Sequence, residues 1–223
     1  MIKAVLFDLG DTVIENKAID LGKGLVATLK PVLNHPNFAP IINDMIAYLN
    51  QRNDLEYQID EFFARIEKEC DYKCPEDIEE QLFIASCDDQ LMDGIISCLQ
   101  ALKADNYITG IVSNSLFHQE VLKCELDKLG IGTYFDFIIA SANAKYRKSS
   151  PIIFECAYQE LLKIKPDLKK EEVLFIGDNL EFDYQSPLAF GFNALWFNRD
   201  HQEGNALSID KMADLIPYIK GLK

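Results

Sequence analysis

No run of apolar residues in this chain approaches the roughly 18 that a helical membrane span requires. The short apolar stretch from Ala4 to Phe7 is cut off at once by Asp8, so no secretory leader and no membrane association are expected. Basic residues are outnumbered 22 to 36, the formal charge is −14, and no patch of Lys and Arg is visible. A nucleic-acid partner is therefore not expected. Any phosphate-bearing ligand must meet a local positive site, because the overall field repels it. Only three histidines occur, none beside a cysteine. Cys70 and Cys74 are spaced C-x-x-x-C, and Cys87, Cys98, Cys124 and Cys156 stand alone. Neither a zinc site nor a disulfide framework is expected, and free thiols suit a reducing cytoplasm. With 8 Pro and 11 Gly in 223 residues, collagen-like and low-complexity readings also fall away. The expectation is a soluble cytoplasmic globule, monomer or homodimer, large enough to bury its own core.

The apolar pattern predicts a strand over 2–7, apolar almost throughout, as in a strand covered on both faces. From 16 to 88 the texture turns polar, with apolar residues at helical spacing. Ile41, Ile42, Met45, Ile46 and Leu49 form one stripe, and Ile59, Phe62, Phe63 and Ile66 another. Pro31, Pro36, Pro40 and Pro75 suit helix ends. A helix is predicted next, capped by Asp88 and running through Leu91, Ile95, Leu99 and Leu102. Strands over 107–112, 135–140, 173–176 and 194–197 then alternate with helices over 119–129, 151–163 and 187–190, and a helix over 208–219 closes the chain. This order predicts an α/β fold with a doubly wound, mainly parallel sheet. The core would be 1–15 with 89–223, and 16–88 a small all-helical insert after the first strand.

In such a sheet ligands bind beyond the C-terminal ends of the strands. Asp8, Gly10, Asp11 and Thr12 follow the first strand, and Ser113, Asn114 and Ser115 the second. A loop with Lys145, Arg147 and Lys148 lies past the third, and Gly177, Asp178, Asn179, Glu181 and Asp183 follow the fourth. Each feature alone is an ordinary turn, cap or solvated charge. Together, at equivalent strand ends, they suit a phosphate group and a divalent cation: hard carboxylate oxygens for Mg²⁺, lysine and hydroxyl donors for phosphate.

The segments Val5-Leu6-Phe7-Asp8-Leu9-Gly10-Asp11-Thr12-Val13, Ile111-Val112-Ser113-Asn114, Lys148 with Ser149-Ser150-Pro151, and Phe175-Ile176-Gly177-Asp178-Asn179-Leu180-Glu181-Phe182-Asp183 resemble, in order, the four motifs of the haloacid dehalogenase-like hydrolase superfamily. The resemblance implies a Rossmann-like core and a helical cap formed by 16–88, with about 34 residues between Ser113 and Lys148 leaving no room for a second cap. It implies a Mg²⁺-dependent hydrolase of a small phosphorylated substrate. Asp8 would be the nucleophile, and would ligate the metal with the Gly10 carbonyl and Asp178. Asp183 would support the metal from behind, and Ser113, Asn114 and Lys148 would hold the phosphate.

One position departs from the pattern. Most phosphatases of the family carry a second Asp two residues after the nucleophile, as general acid and base, and here that place is Gly10, with Asp11 one residue later. Acid–base catalysis is worth roughly 10²–10⁴-fold. Three readings stay open: a phosphatase using Asp11, a cap residue or water as proton carrier; a phosphonate- or haloacid-cleaving enzyme; or a phosphate-ligand binder without turnover. Dehalogenases need no metal, so the retained Asp178 argues against that branch. Phosphonate cleavage needs an imine-forming cap lysine, for which Lys17, Lys23, Lys30, Lys68 and Lys73 are available. His118, Tyr57, Phe62 and Phe63 are weaker candidates to face the site. Trp196 reads as core, and Glu76, Asp77, Glu79 and Glu80 as a solvated helix start.

Overall fold

The computed structural model describes residues 1–16, 20–51 and 54–221. Strands β1 (Ala4–Phe7), β4 (Ile108–Ser113), β5 (Phe137–Ala140), β6 (Val173–Gly177), β7 (Asn193–Phe197) and β8 (Ser208–Ile209) form one parallel sheet in the order β5-β4-β1-β6-β7-β8. Every residue of β1 is fully buried, because its alternating side chains enter two different cores. Val5 and Phe7 join the face covered by α5 (Ile95–Ala104), α6 (Gln119–Lys128) and α10 (Leu215–Gly221). Ala4 and Leu6 join the face covered by α8 (Pro151–Ile164), where Phe154 packs edge-on against Phe175 at 5.6 Å. The fold is doubly wound, and the strand order reverses at β1, which places its C-terminal end in the ligand crevice.

A two-stranded antiparallel ribbon, β2 (Ile14–Asn16) with β3 (Asp89–Leu91), brackets the polar stretch. Between them lie α1 (Leu21–Thr28), α2 (Phe38–Leu49), α3 (Ile59–Glu69) and α4 (Ile78–Ser86). Ile41, Met45, Ile59, Phe62, Phe63 and Ile66 are buried as the stripes predict, whereas Ile46 is exposed. Helices α1 and α4 pack closely because Gly24 has no side chain; a Cβ there would lie 1.9 Å from Ser86 Oγ.

Two predicted helices are corrected. Leu91 is in β3, paired with Ile14, and α5 starts only after Gly94, whose φ of +79° makes the turn that Asp88 was expected to cap. At the C-terminus, Ser208 and Ile209 add an edge strand to Trp196 and Phe197. The helix itself is α10, with Pro217 in its first turn, where a missing N–H costs nothing.

Candidate active site

Four chain segments deliver their polar groups to one cavity of about 300 Å³. Asp8 follows β1, anchored by its N–H to Ile176 O at 2.9 Å, and is 6% exposed. Ser113 ends β4, and Asn114 follows it. Past β5, the short helix α7 (Ser141–Ala144) stops at Lys145, whose φ of +63° turns the chain toward Lys148. Asn114 Oδ1 accepts from Lys148 N at 2.7 Å, so the two phosphate-side loops hold each other. Asp178 directly follows β6, and Asp183 enters from a π-helical turn, Leu180–Gln185. Asn179 shapes that turn by accepting from Glu181 N and Phe182 N, each at 3.0 Å. Gly177 is required here, since a Cβ on it would sit 2.4 Å from Asp183 Cγ.

At the centre, the buried Lys148 ammonium donates to Asp8 Oδ1 and, at 2.6 Å, to Asp183 Oδ1. Asp183 Oδ2 accepts from Asn179 N at 3.0 Å. Carboxylate oxygens of Asp8, Asp178 and Asp183 lie within 4.8 Å of one another. Three carboxylates against one ammonium leave an excess of negative charge in a desolvated place. Burial, reinforced by the charges of Asp183 and Asp178 and opposed by Lys148, pushes the Asp8 carboxyl up to about 7. Burial and Asp183 push Asp178 to about 6. Burial works against the Lys148 charge, but Asp183 and Asp8 outweigh it and hold the ammonium above the ordinary lysine range. A clustered set of hard oxygen donors with uncompensated charge fits a divalent cation such as Mg²⁺.

Gly10 and Asp11 line the same cavity. Gly10 does not have a positive φ, whereas Asp11 does, at +54°. The Asp11 carboxylate is turned toward Arg199, with Oδ1 3.4 Å from Nη2, and the same guanidinium lies 3.1 Å from Glu15 Oε1. Arg199 follows β7, a strand end at which the sequence offers no recognisable motif residue.

Asp89, where the sequence predicts the start of a helix, opens β3 instead and enters the site. It lines the cavity near Phe83, Cys87, Phe117 and Leu122, and among the described residues both its carboxylate oxygens are buried without a hydrogen-bond partner. Burial, with Glu125 and Asp88 adding like charge, raises its carboxyl to about 6.

The weaker candidates resolve differently. Phe62 and Phe63 are core, and Tyr57 packs against Tyr48 at 5.3 Å; Phe83 and Phe117, edge-to-face at 5.0 Å, line the cavity instead. Trp196 is core, and its Nε1 donates to Asp178 O at 2.7 Å. His118 lies at the head of α6, where its N–H donates to Glu79 Oε1 at 2.6 Å and its ring Nδ1 sits 2.9 Å from Glu79 Oε2. Glu80 pairs with Lys128 at 3.1 Å. Glu79 and Glu80 thus tie the insert to α6 and are not simply solvated. Of the cap lysines, Lys17 lies outside the described residues; Lys148 is the amine that lines the cavity among those described.

A family model described as haloacid dehalogenase-like hydrolase matches residues 2–191. Pyrimidine 5'-nucleotidase YjjG of Escherichia coli is 28% identical over 112 residues, 50% of this chain and 47% of that protein. Glyceraldehyde 3-phosphate phosphatase of Methanothermobacter thermautotrophicus is 28% identical over 126 residues, 53% of each chain. The chain thus spans about half the length of these curated relatives. A crystal structure titled HAD phosphatase, from Thermococcus onnurineus, superposes with a TM-score of 0.68 over 99% of both chains at 21% identity, which is a likeness of fold.

Proposed function

The chain belongs to the haloacid dehalogenase-like hydrolase family, and from that premise we propose that it is a Mg²⁺-dependent phosphomonoester hydrolase of a small phosphorylated metabolite. The observation that carries this reading is the Lys148 ammonium bonded to both Asp8 and Asp183, with Asp178 beside them. A carboxylate attacks a phosphate dianion only where positive charge screens the repulsion.

In this proposal Asp8 Oδ attacks phosphorus, the bond to the leaving oxygen breaks, and that oxygen takes a proton. Water then attacks the aspartyl-phosphate, releasing inorganic phosphate and restoring Asp8. Lys148 neutralises Asp8 and the substrate, and Ser113 with Asn114 grips the phosphoryl oxygens. Asp8, the Gly10 carbonyl and Asp178 would hold the cation, with Asp183 supporting it, and the cation would supply charge neutralisation at the phosphoryl group. Because Gly10 has no acid and Asp11 faces Arg199, solvent water delivers the leaving-group proton. Esters with good leaving groups are therefore the faster substrates.

The division into core (1–15 with 89–223) and cap (16–88) belongs to this proposal, as does a cytoplasmic setting. No described helix is long and apolar enough to cross a membrane. The two named relatives, a nucleotidase and a phosphatase, support phosphomonoester chemistry over phosphonate or haloacid cleavage. The test is turnover on a panel of phosphoesters with and without Mg²⁺, alongside Asp8→Asn. Metal-dependent turnover abolished by Asp8→Asn supports the reading; its absence on every ester leaves a phosphate-ligand binder.

A further inference from the structure

The segment 54–58, which leads into α3, reaches down from the insert onto the loop that carries Lys148. Arg147 N donates to Asp54 O at 2.8 Å, Glu56 N donates to Lys145 O at 3.0 Å, and Leu55 pairs with Tyr146 in an antiparallel bridge. These backbone bonds already fasten the two segments. Glu56 nevertheless turns its carboxylate inward, with 5% of the residue exposed. Its Oε1 accepts from Tyr57 N at 2.9 Å, and its Oε2 accepts from Ser141 Oγ at 2.6 Å. Arg147 Nε lies 3.6 Å from Oε2. Ser141 is fully buried, and its Oγ accepts in turn from Ser115 N at 2.8 Å.

A serine hydroxyl has one proton. Ser115 O, 3.1 Å from Ser141 Oγ, is the competing acceptor, but the charged Glu56 Oε2 at 2.6 Å is the nearer and stronger one; the proton given to it leaves the oxygen lone pairs aimed at the Ser115 N–H, so the carboxylate sets the direction of the chain of bonds. Ser115 adjoins Asn114, and Asn114 Oδ1 holds Lys148 N at 2.7 Å. Burying a carboxylate is costly unless its bonds are used. A fastening that needed no direction would be served by the backbone pairing alone.

We propose that Glu56 is a positioning residue, acting through Ser141 and Ser115 to set the 113–115 loop against Lys148, so that the phosphate grip is complete only when the insert is seated. This rests on the reading that Ser113, Asn114 and Lys148 bind a phosphoryl group. Seating of the insert and binding of phosphate then favour each other, since coupling between two binding events is reciprocal.

The test uses the full chain with Mg²⁺, p-nitrophenyl phosphate as substrate and inorganic phosphate as ligand, in Glu56→Ala, Ser141→Ala and the double variant. Each single change is expected to lower kcat/KM by about 10- to 100-fold, the scale of an ångström-level misplacement. Each is also expected to weaken inorganic phosphate measured by calorimetry. The double variant is expected to be no worse than the worse single one, because both residues act through one chain of bonds. Should Glu56→Ala fail to fold, Ser141→Ala, a smaller change, reads the same link. Folded single variants with wild-type kcat/KM and phosphate affinity, altered only in melting temperature, overturn the proposal, as do losses that simply multiply in the double variant. If wild type turns over no faster than Asp8→Asn, the hydrolase reading fails, and the phosphate affinities still decide the role of Glu56.

Discussion

Lys148 Nζ lies 2.6 Å from Asp183 Oδ1, both groups almost wholly buried, and the same ammonium also donates to Asp8. One cation thus binds a carboxylate at the end of β1 to one beyond β6. The site is held together by charge that it must also use.

Removing that ammonium should therefore strip the site of its internal compensation. Metal-free Lys148→Met is expected to lose on the order of 3–5 kcal/mol, as for a buried pair broken on one side. The loss should be larger at pH 7.5 than at pH 5, where protonation of the carboxyls takes over the role of the lysine. Denaturant unfolding at the two pH values checks it; an equal loss at both would contradict the electrostatic cause.

The metal-free wild type should itself weaken as pH rises. Asp8, near 7, and Asp178, near 6, are carboxyls whose folded-state values lie above the ordinary 3.8. The stability linked to them is fully present below about pH 4 and is lost as pH climbs through 6 and 7. Mg²⁺ should restore it, so the melting-temperature gain on adding Mg²⁺ is expected to be greater at pH 7.5 than at pH 5.5. A gain independent of pH would argue against carboxylate ligation, and Asp178→Ala should remove most of it.

Asp89 titrates apart from the metal cluster. Its raised value, near 6, means that the buried carboxyl favours folding when protonated and opposes it when ionised. Asp89→Asn removes the ionisation, so the melting temperature of the variant relative to wild type is expected to rise between pH 5 and pH 7.5. Parallel curves for the two proteins would show that Asp89 is solvated in solution.

Gly10 offers a test of the missing proton carrier. Its φ is not positive, so a side chain there meets no left-handed backbone penalty. Gly10→Asp is expected to speed hydrolysis of alkyl phosphates by up to about 10²-fold and of aryl phosphates less. Gly10→Ala should bring no gain. Asp11→Asn should change turnover by less than about 3-fold, because this carboxylate faces Arg199 and is not the proton carrier; acid–base loss costs at least about 10²-fold. A sharp fall in Asp11→Asn would assign the proton to Asp11 instead.

Much of this geometry was legible in the sequence because a parallel sheet converts strand order into position. Asp8, Ser113 and Asp178 each close an apolar run and Lys148 lies in the loop past another, and the fold brings such ends together. The β2–β3 ribbon was not legible: three-residue strands such as Asp89-Gln90-Leu91 have no period to read, and Leu91 fitted the helical stripe equally well. Nor was Glu56, a charged residue in a polar stretch, whose partner Ser141 lies 85 positions away. The left-handed backbone at Asp11, which helps decide where its carboxylate points, leaves no mark on composition or spacing.

The proposed hydrolysis turns on a covalent bond between Asp8 and the phosphoryl group. Borohydride quenching of the enzyme during steady turnover of p-nitrophenyl phosphate with Mg²⁺, followed by peptide mass mapping, tests it most directly. Reduction of an aspartyl-phosphate leaves homoserine, so homoserine is expected at position 8 in wild type, and neither homoserine nor turnover in Asp8→Asn. Sustained Mg²⁺-dependent turnover in Asp8→Asn, or wild-type turnover with position 8 recovered only as unmodified Asp, would contradict it.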